Sequence, residues 1–455
     1  MKKLKKFISA FCLTMLAWVM VDGRAEVGVG SEKGFESWWE GDGATGDWFG
    51  LRDGLAGSGV EIFGGYTVDI FGNTRGGLKR GTVYSGLLEF GAEADLEELV
   101  GWPGAKVSTT WIWLSGRDAS EDLVGNFLTI SNIAGFNTLR MLELWFEQSV
   151  WEERISLRLG QLAADSEFMI SDHAGLFLNG TFGWPAFAYM NLPEGGPGYP
   201  MGTLGVRLAV RPTDWLTVLA GVFQGNVFAQ DVNRHGFRYR LDASDGYTFL
   251  TEAQVCWGQG GALLPGQLKG GLWVQTGKLA DALAEETRSG NFGFYGILDQ
   301  MLFREHSGQV VEERGEGKAV ADGKEASKSA AGEESEAGEQ GLSGFLRVAL
   351  APEDRNFVNF YFDVGLTYQG LLPMRDEDAL GVAFGYAQIS GGARDGLRGE
   401  GLRPMGGEMV LEATYRIQLN PWLAVQPDLQ YVINPGGTRS LGDALLVGFR
   451  GEVTF

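Results

Sequence analysis

The 455-residue chain predicts an all-β fold: a transmembrane antiparallel up-and-down β-barrel of about sixteen strands, with a constricting loop folded into the lumen. Three observations predict it. Apolar and polar residues alternate in segments of about ten residues, the length of a tilted membrane strand. The alternation recurs to the last residue, Phe455. No window after residue 25 holds the roughly 20 continuous apolar residues of a spanning helix. Composition agrees, with 71 Gly, 28 Phe and 14 Trp at a mean hydropathy of -0.06. Glycine serves where strands bend or crowd, and aromatics gather at two membrane interfaces. A secreted β-sandwich would share this composition, but so many segments would overfill one sandwich domain.

The N-terminus reads as a cleaved signal peptide over residues 1–25. Lys2, Lys3, Lys5 and Lys6 precede an apolar run from Phe7 to Val21, and Gly23-Arg24-Ala25 offers small residues for cleavage. A single membrane anchor fits less well, because the run is short and no stop-transfer charges follow. Cys12 lies in the middle of that run, where lipoprotein cleavage does not occur. Residues 26–57 form a periplasmic lead-in whose Trp38, Trp39, Trp48 and Phe49 are placed to pack against the barrel mouth. After cleavage Cys256 is the remaining cysteine, which excludes a disulfide framework; it reads as a packed strand residue. With three histidines, neither a metal site nor a cofactor is expected. The net charge of -21 argues against nucleic acid as a partner.

Along the chain, the first strand (59–72) sets Val60, Ile62, Tyr66, Val68 and Ile70 against Glu61, Thr67 and Asp69. The second (83–97) sets Leu88, Phe90, Ala92 and Ala94 against Glu89, Glu93 and Asp95. In 140–150, Leu142, Leu144 and Phe146 oppose Glu143, Trp145 and Glu147. In 153–162, Leu157 and Leu159 oppose Arg158. In 201–211, Leu204, Val206, Leu208 and Val210 oppose Arg207 and Arg211. The segment 357–369 puts Val358, Phe360, Phe362, Val364 and Leu366 outward and Asn359, Tyr361, Asp363 and Thr367 inward. Met409, Leu411, Ala413, Tyr415 and Ile417 oppose Glu408, Glu412, Thr414, Arg416 and Gln418 in 407–419. Val425, Leu429 and Tyr431 oppose Gln426, Asp428 and Gln430 in 421–432. The last strand (441–455) turns Leu445, Val447, Phe449 and Val453 outward and Arg450 and Glu452 inward. Segments 105–115, 214–225, 246–257, 267–278, 293–302, 343–352 and 379–390 complete the set.

An even strand count leaves both chain ends in the periplasm and encloses an aqueous channel. Pro212-Thr213-Asp214 and Asn420-Pro421 are tight periplasmic turns. Residues 116–139, 163–200, 226–245 and 391–406 become extracellular loops. The second carries Phe168, Leu176, Phe177, Phe182, Trp184, Phe187 and Tyr189; so apolar a loop must pack on something, and the lumen is the natural place. Residues 305–342 are an acidic Gly/Ala/Glu-rich insertion that cannot bury enough surface to offset ordering. Strand parity puts this insertion on the periplasmic side, although long insertions usually sit outside.

The sequence resembles the carbohydrate-selective porin family, the OprB type, through nearly the whole chain from Gly46. The likeness is carried by GDWFGLRDGLAGSGV (46–60), GNTRGGLKRG (72–81), ELVGWPGAKV (98–107) and LVGNFLTISNI (123–133). RLGQLAADSEFMISDHAGLFLNGTFGWP (158–185), LPEGGPGYPMGTLGVRL (192–208), RHGFRYRLD (234–242) and APEDRN (351–356) continue it. GLLPMRDEDALGVAFGYAQIS (370–390) and LEATYRIQLNPWLAVQPDLQYVINPGG (411–437) complete it. GDWFG replaces the usual GDWGG, LLPMR replaces a Pro-Gly-Arg, and the insertion is long for the family. The resemblance implies a sixteen-stranded outer-membrane barrel through which sugars such as glucose diffuse down their gradient, with a loop constricting the lumen.

Weak selectivity for a neutral, hydroxyl-rich solute needs hydrogen-bonding groups of both polarities at a narrow point and aromatic faces on which a ring slides. The inward candidates are Glu143, Trp145, Glu147, Arg158, Arg207, Asp363, Glu412, Arg416, Asp428 and Arg450. Gln161, Asp165, Glu167, Asp172 and His173 of the loop join them, Asp165 and Glu167 leading. Expected partners are neutral sugars, outer-membrane lipid and the barrel-assembly machinery, which reads a terminal strand ending like Phe455; a homo-oligomer is compatible with the pattern. The rivals are a general diffusion pore, a polysaccharide-export or adhesin barrel, and a hydrolase using His173 with Ser166 or Ser171. Export calls for a more uniformly charged lumen. For the hydrolase, Ser171, Asp172 and His173 are adjacent, and sequence neighbours rarely converge as a triad. No catalytic residue is therefore expected.

Overall fold

A computed structural model describes residues 38–242, 244–259, 263–280, 287–305 and 340–455. Residues 1–37, which include the expected signal peptide, and residues 306–339 of the insertion lie outside them. The first eight strands are β1 (Val60–Gly77), β2 (Gly81–Asp95), β3 (Ala105–Gly116), β4 (Thr138–Val150), β5 (Ile155–Leu162), β6 (Thr203–Thr213), β7 (Leu216–Gln224) and β8 (Tyr247–Trp257). The rest are β9 (Gly266–Ala280), β10 (Thr287–Arg304), β11 (Gly341–Leu350), β12 (Val358–Gln369), β13 (Ala379–Ile389), β14 (Gly407–Asn420), β15 (Leu423–Ile433) and β16 (Gly442–Thr454). Each overlaps one segment expected from alternation. Consecutive strands pair antiparallel, and β1 pairs with β16 from Gly65↔Thr454 to Gly77↔Gly442, so the sheet closes on itself. The Phe455 N–H donates to the Gly64 carbonyl at 2.9 Å, tying the last residue into that seam.

Short turns gather at one end of the barrel, and the long loops after β3, β5, β7 and β13 gather at the other. The roots of the insertion, Glu305 and Gln340, are hydrogen-bonded at the short-turn end, where strand parity places them. At the same end Trp38 and Trp39 pack on Trp422, with ring centroids 4.8 and 5.6 Å apart. Phe49, expected to join them, stands fully exposed, and Trp48 lies beside Arg52.

Two outward assignments fail at β-bulges. The β3–β4 register slips between Thr110↔Glu143 and Trp111↔Met141, which turns Leu142 into a buried cluster with Ile112, Leu114 and Ala163. A slip around Asn359 likewise turns Val358 into the core. One extra residue inverts the face of its neighbour, and alternation alone does not reveal where it falls.

A sixteen-strand barrel is too wide for its own side chains to fill. Here the core is supplied by loop chain. Residues 163–202 enter the lumen and lay Phe168 against Phe223 of β7, Phe177 and Phe182 against Phe345 of β11, and Phe187 against Trp273 of β9. The loop 117–137, expected as an extracellular loop over 116–139, also dips into the lumen. Its Phe127 and Leu128 N–H groups donate to Glu408 at 3.0 and 2.7 Å, and Ser131 Oγ donates to Asp69 at 2.6 Å. The two loops meet through Asn132 N–H to Leu178 O and Gly180 N–H to Thr129 O, at 2.8 and 2.7 Å.

The inward turn of the chain after Leu162 leaves the upper edge of β4 without its β5 partner. Segment 234–241 of the β7–β8 loop covers that edge from outside. Met141 N–H donates to His235 O at 3.2 Å, and Thr138 Oγ1 to Arg234 O at 2.8 Å. Gly202 passes so close that a Cβ there would meet Leu142 O at 1.9 Å. Gln161, expected in the channel, belongs instead to this repair. It shares outward parity with Leu157 and Leu159, and its amide donates to Met141 O and Leu142 O at 2.8 and 2.9 Å while accepting from Tyr239 Oη at 2.7 Å. Gln161→Ala leaves two buried carbonyls and a tyrosine hydroxyl short of a partner. A stability loss of about 2 kcal/mol is expected, read as a shift of the urea midpoint in lipid vesicles; an unchanged midpoint would contradict this role.

Candidate channel constriction

Several of the expected site residues come together where the start of the infolded loop meets β4, β5 and β6. Antiparallel register sets Glu147, Arg158 and Arg207 side by side on three adjacent strands. Strand parity points all three inward, and Glu167 reaches them from the infolded loop. Arg158 Nε is 2.7 Å from Glu147 Oε2, and Arg207 Nη2 is 2.7 Å from the same oxygen. Arg207 also holds Glu167 through Nε and Nη2, both at 2.7 Å, and donates through Nη1 to Ser156 Oγ at 2.5 Å. Arg158 Nη1 stands 3.8 Å from Glu167 Oε1. Two cations and two anions thus form a charge-balanced row in which Glu167 is the most accessible member and Arg207 the least. Trp145 lies beneath this row, its ring 3.9 Å from the Arg158 guanidinium. That cation–π contact leaves the indole buried, so it presents no free face for a sugar ring.

Both ends of the loop are held by carboxylates near the row. Glu143 Oε1 accepts from Ala163 N–H, and Asp165 Oδ2 accepts from Tyr199 N–H, each at 2.8 Å. Burial under the loop pushes the Asp165 carboxyl up to about 6, against the Tyr199 N–H that favours the carboxylate. Asp172 is exposed and lies 3.4 Å from Lys269 Nζ.

Four other candidates are not open to the lumen. Asp363 is fully buried between Arg347 and Tyr361, whose hydroxyl donates to it at 2.6 Å. Glu412 accepts from Leu178 and Asn179 N–H at 2.6 and 3.0 Å, and Asp428 accepts from Gln430 at 3.0 Å. Arg450 forms a two-pronged pair with Asp69 at 2.7 and 2.8 Å. The sequence shows these side chains facing inward; the infolded loops that cover them come from far along the chain. Arg416 remains partly exposed, 3.1 Å from Glu452.

Sequence reasoning missed the anchor of the loop. Arg347 donates to the carbonyls of Met169, Thr181, Phe182 and Gly183 at 2.7 to 3.0 Å. Inward parity with Phe345 on β11 was the available signal. Glu252 was missed as well; it accepts from Met169 N–H at 2.9 Å and Tyr295 Oη at 2.7 Å. The serines near His173 are engaged elsewhere, Ser171 Oγ with Asp299 at 2.5 Å and Ser166 Oγ with Ala163 O at 2.7 Å.

A closed sixteen-strand barrel with chain folded into its lumen defines a porin, a passive channel of the outer membrane. This chain belongs to the carbohydrate-selective porins of the OprB family, whose profile matches residues 79–455. Porin B of Pseudomonas aeruginosa is 23% identical over 438 residues, 90% of either chain. The high-pH structure of Pseudomonas putida OprB, 22% identical, matches 91% of this chain and 99% of its own with a TM-score of 0.74. The outer membrane channel DcaP of Acinetobacter baumannii shares the barrel at 11% identity, 87% and 97% coverage and a TM-score of 0.50. The family and the fold are those of channels, not enzymes.

Two outcomes follow from the row and its neighbour. Arg207→Gln leaves two carboxylates facing one guanidinium, so the pore should turn cation-selective; a reversal potential in a KCl gradient that does not move from the parent's excludes this balance. For Asp165, the unfolded chain releases the proton near 3.8, whereas the folded chain keeps it to about 6. The folded state binds more protons across that window, so stability falls as pH rises through it. Asp165→Asn should flatten this part of the stability profile, measured by denaturant unfolding at stepped pH.

Proposed function

We propose that neutral sugars such as glucose cross the outer membrane through the barrel lumen, past the Glu147–Arg158–Arg207–Glu167 row, whose accessible member is Glu167. The charge balance of this row is the observation that carries the reading. Mutually paired ions offer donors and acceptors to hydroxyl groups without a net field that would collect salt. Contacts of this kind are strong enough to admit a sugar and weak enough to release it. Glu167, the most accessible member, is assigned the first contact. The long-loop end faces outward in this reading, and residues 38–57 lie in the periplasm. The terminal strand is what the assembly machinery would read.

Liposome swelling in glucose and in maltooligosaccharides, with single-channel conductance in planar bilayers, tests the reading. Glucose should permeate, and longer oligomers should block current transiently. Failure of glucose and its oligomers both to pass and to block removes it. Conductance that follows salt alone identifies a general diffusion pore.

A further inference from the structure

We propose that segment 234–241, laid against the outside of the wall, is a binding site for a phosphorylated lipid headgroup of the outer leaflet. The segment sits where the chain cannot avoid lipid. Phe237 packs on Trp111, ring centroids 5.6 Å apart, and Trp111 has the outward parity of its β2 neighbour Phe90. Phe237, Tyr239 and Leu241 are exposed, and they alternate with the exposed Arg238 and Arg240. Arg234 lies at the rim, where Nη2 donates to Asn137 O at 2.6 Å, one residue above the start of β4.

The charges are not all met within the chain. Arg240 is neutralised by a two-pronged pair with Asp245, its Nε at 3.1 Å and its Nη2 at 2.7 Å. Arg234 binds only a backbone carbonyl in the contacts described, and Arg238 lies 5.6 Å from the Phe228 ring centroid. Two guanidiniums without a carboxylate, Arg234 at the rim and Arg238 held beside Asn233 by two hydrogen bonds of its own backbone, border exposed aromatic and aliphatic side chains, as a phosphate with its acyl chains would require. A second copy of the chain would be favoured by a flat apolar face; here cations without a carboxylate partner are interleaved with the apolar groups from the rim down, which favours lipid.

The test uses the full chain in phosphatidylcholine nanodiscs with and without lipid A, with dephosphorylated lipid A and inorganic phosphate as separate arms. Lipid A should remain bound in native mass spectrometry. Arg234→Gln with Arg238→Gln should weaken it about 30-fold, from about fivefold per arginine near an anionic surface. Arg398→Gln, a change to an arginine of the β13–β14 loop paired with Asp395, should leave lipid binding as it was. Unchanged sugar permeation in the double variant shows that it is folded. Equal binding of lipid A by the double variant, equal binding of the dephosphorylated lipid, or displacement by millimolar phosphate alone overturns the proposal. So does a change of oligomeric state with lipid binding intact, which makes the face a contact between copies.

Discussion

The backbone of chain folded inside a barrel must find hydrogen-bond partners on the barrel wall, and the rest of this structure depends on that constraint. Strands satisfy their own peptide groups; loop peptides carried into the lumen do not, and leaving them unpaired costs about as much as a lost buried hydrogen bond each. Arg347 meets four loop carbonyls with one planar guanidinium, while Asp363 balances its charge. Glu252, Glu408 and Glu412 do the complementary work, accepting N–H groups from Met169, from Phe127 and Leu128, and from Leu178 and Asn179. Acidic and basic wall residues are thus used to hold chain inside the barrel, where aromatic rings pack against β7, β9 and β11.

The row on β4–β6, where Glu167 is the most accessible charge, is the place proposed for the passage. The infolding also creates a weakness, since a loop that turns inward at Leu162 withdraws a strand from the wall. The β7–β8 loop repairs it from outside, with Gln161 and Tyr239 closing the exposed carbonyls. The cost of the repair is a segment of aromatic and basic residues held against lipid. Constriction, wall repair and lipid contact are therefore consequences of one chain path.

Much of the barrel was legible in the sequence because period two is a local property. Outward Leu411 and inward Glu412 can be told apart from their neighbours alone, and the same holds for Phe449 and Arg450. The bulges at Leu142 and Asn359 were not legible, because a single added residue leaves no mark in composition. Of the candidate site, Glu147, Arg158, Arg207 and Glu167 do come together. Three of them are inward strand residues, and the fourth lies in a loop too apolar to remain in water. Asp363, Glu412, Asp428 and Arg450 were correctly turned inward but are covered by chain more than a hundred residues away in most cases, as Glu412 is by Leu178.

The sequence by itself determined the strands, their inward and outward faces and an even count, since each follows from side-chain alternation against lipid and water. It also determined that residues 163–200 must find an apolar surface. Only the tertiary structure decided which inward charges gather at Glu167 and which anchor other parts of the infolded chain. That choice depends on where the infolded chain lands, and the landing place is set by long-range hydrogen bonds to Arg347, Glu408 and Glu412 rather than by any local pattern.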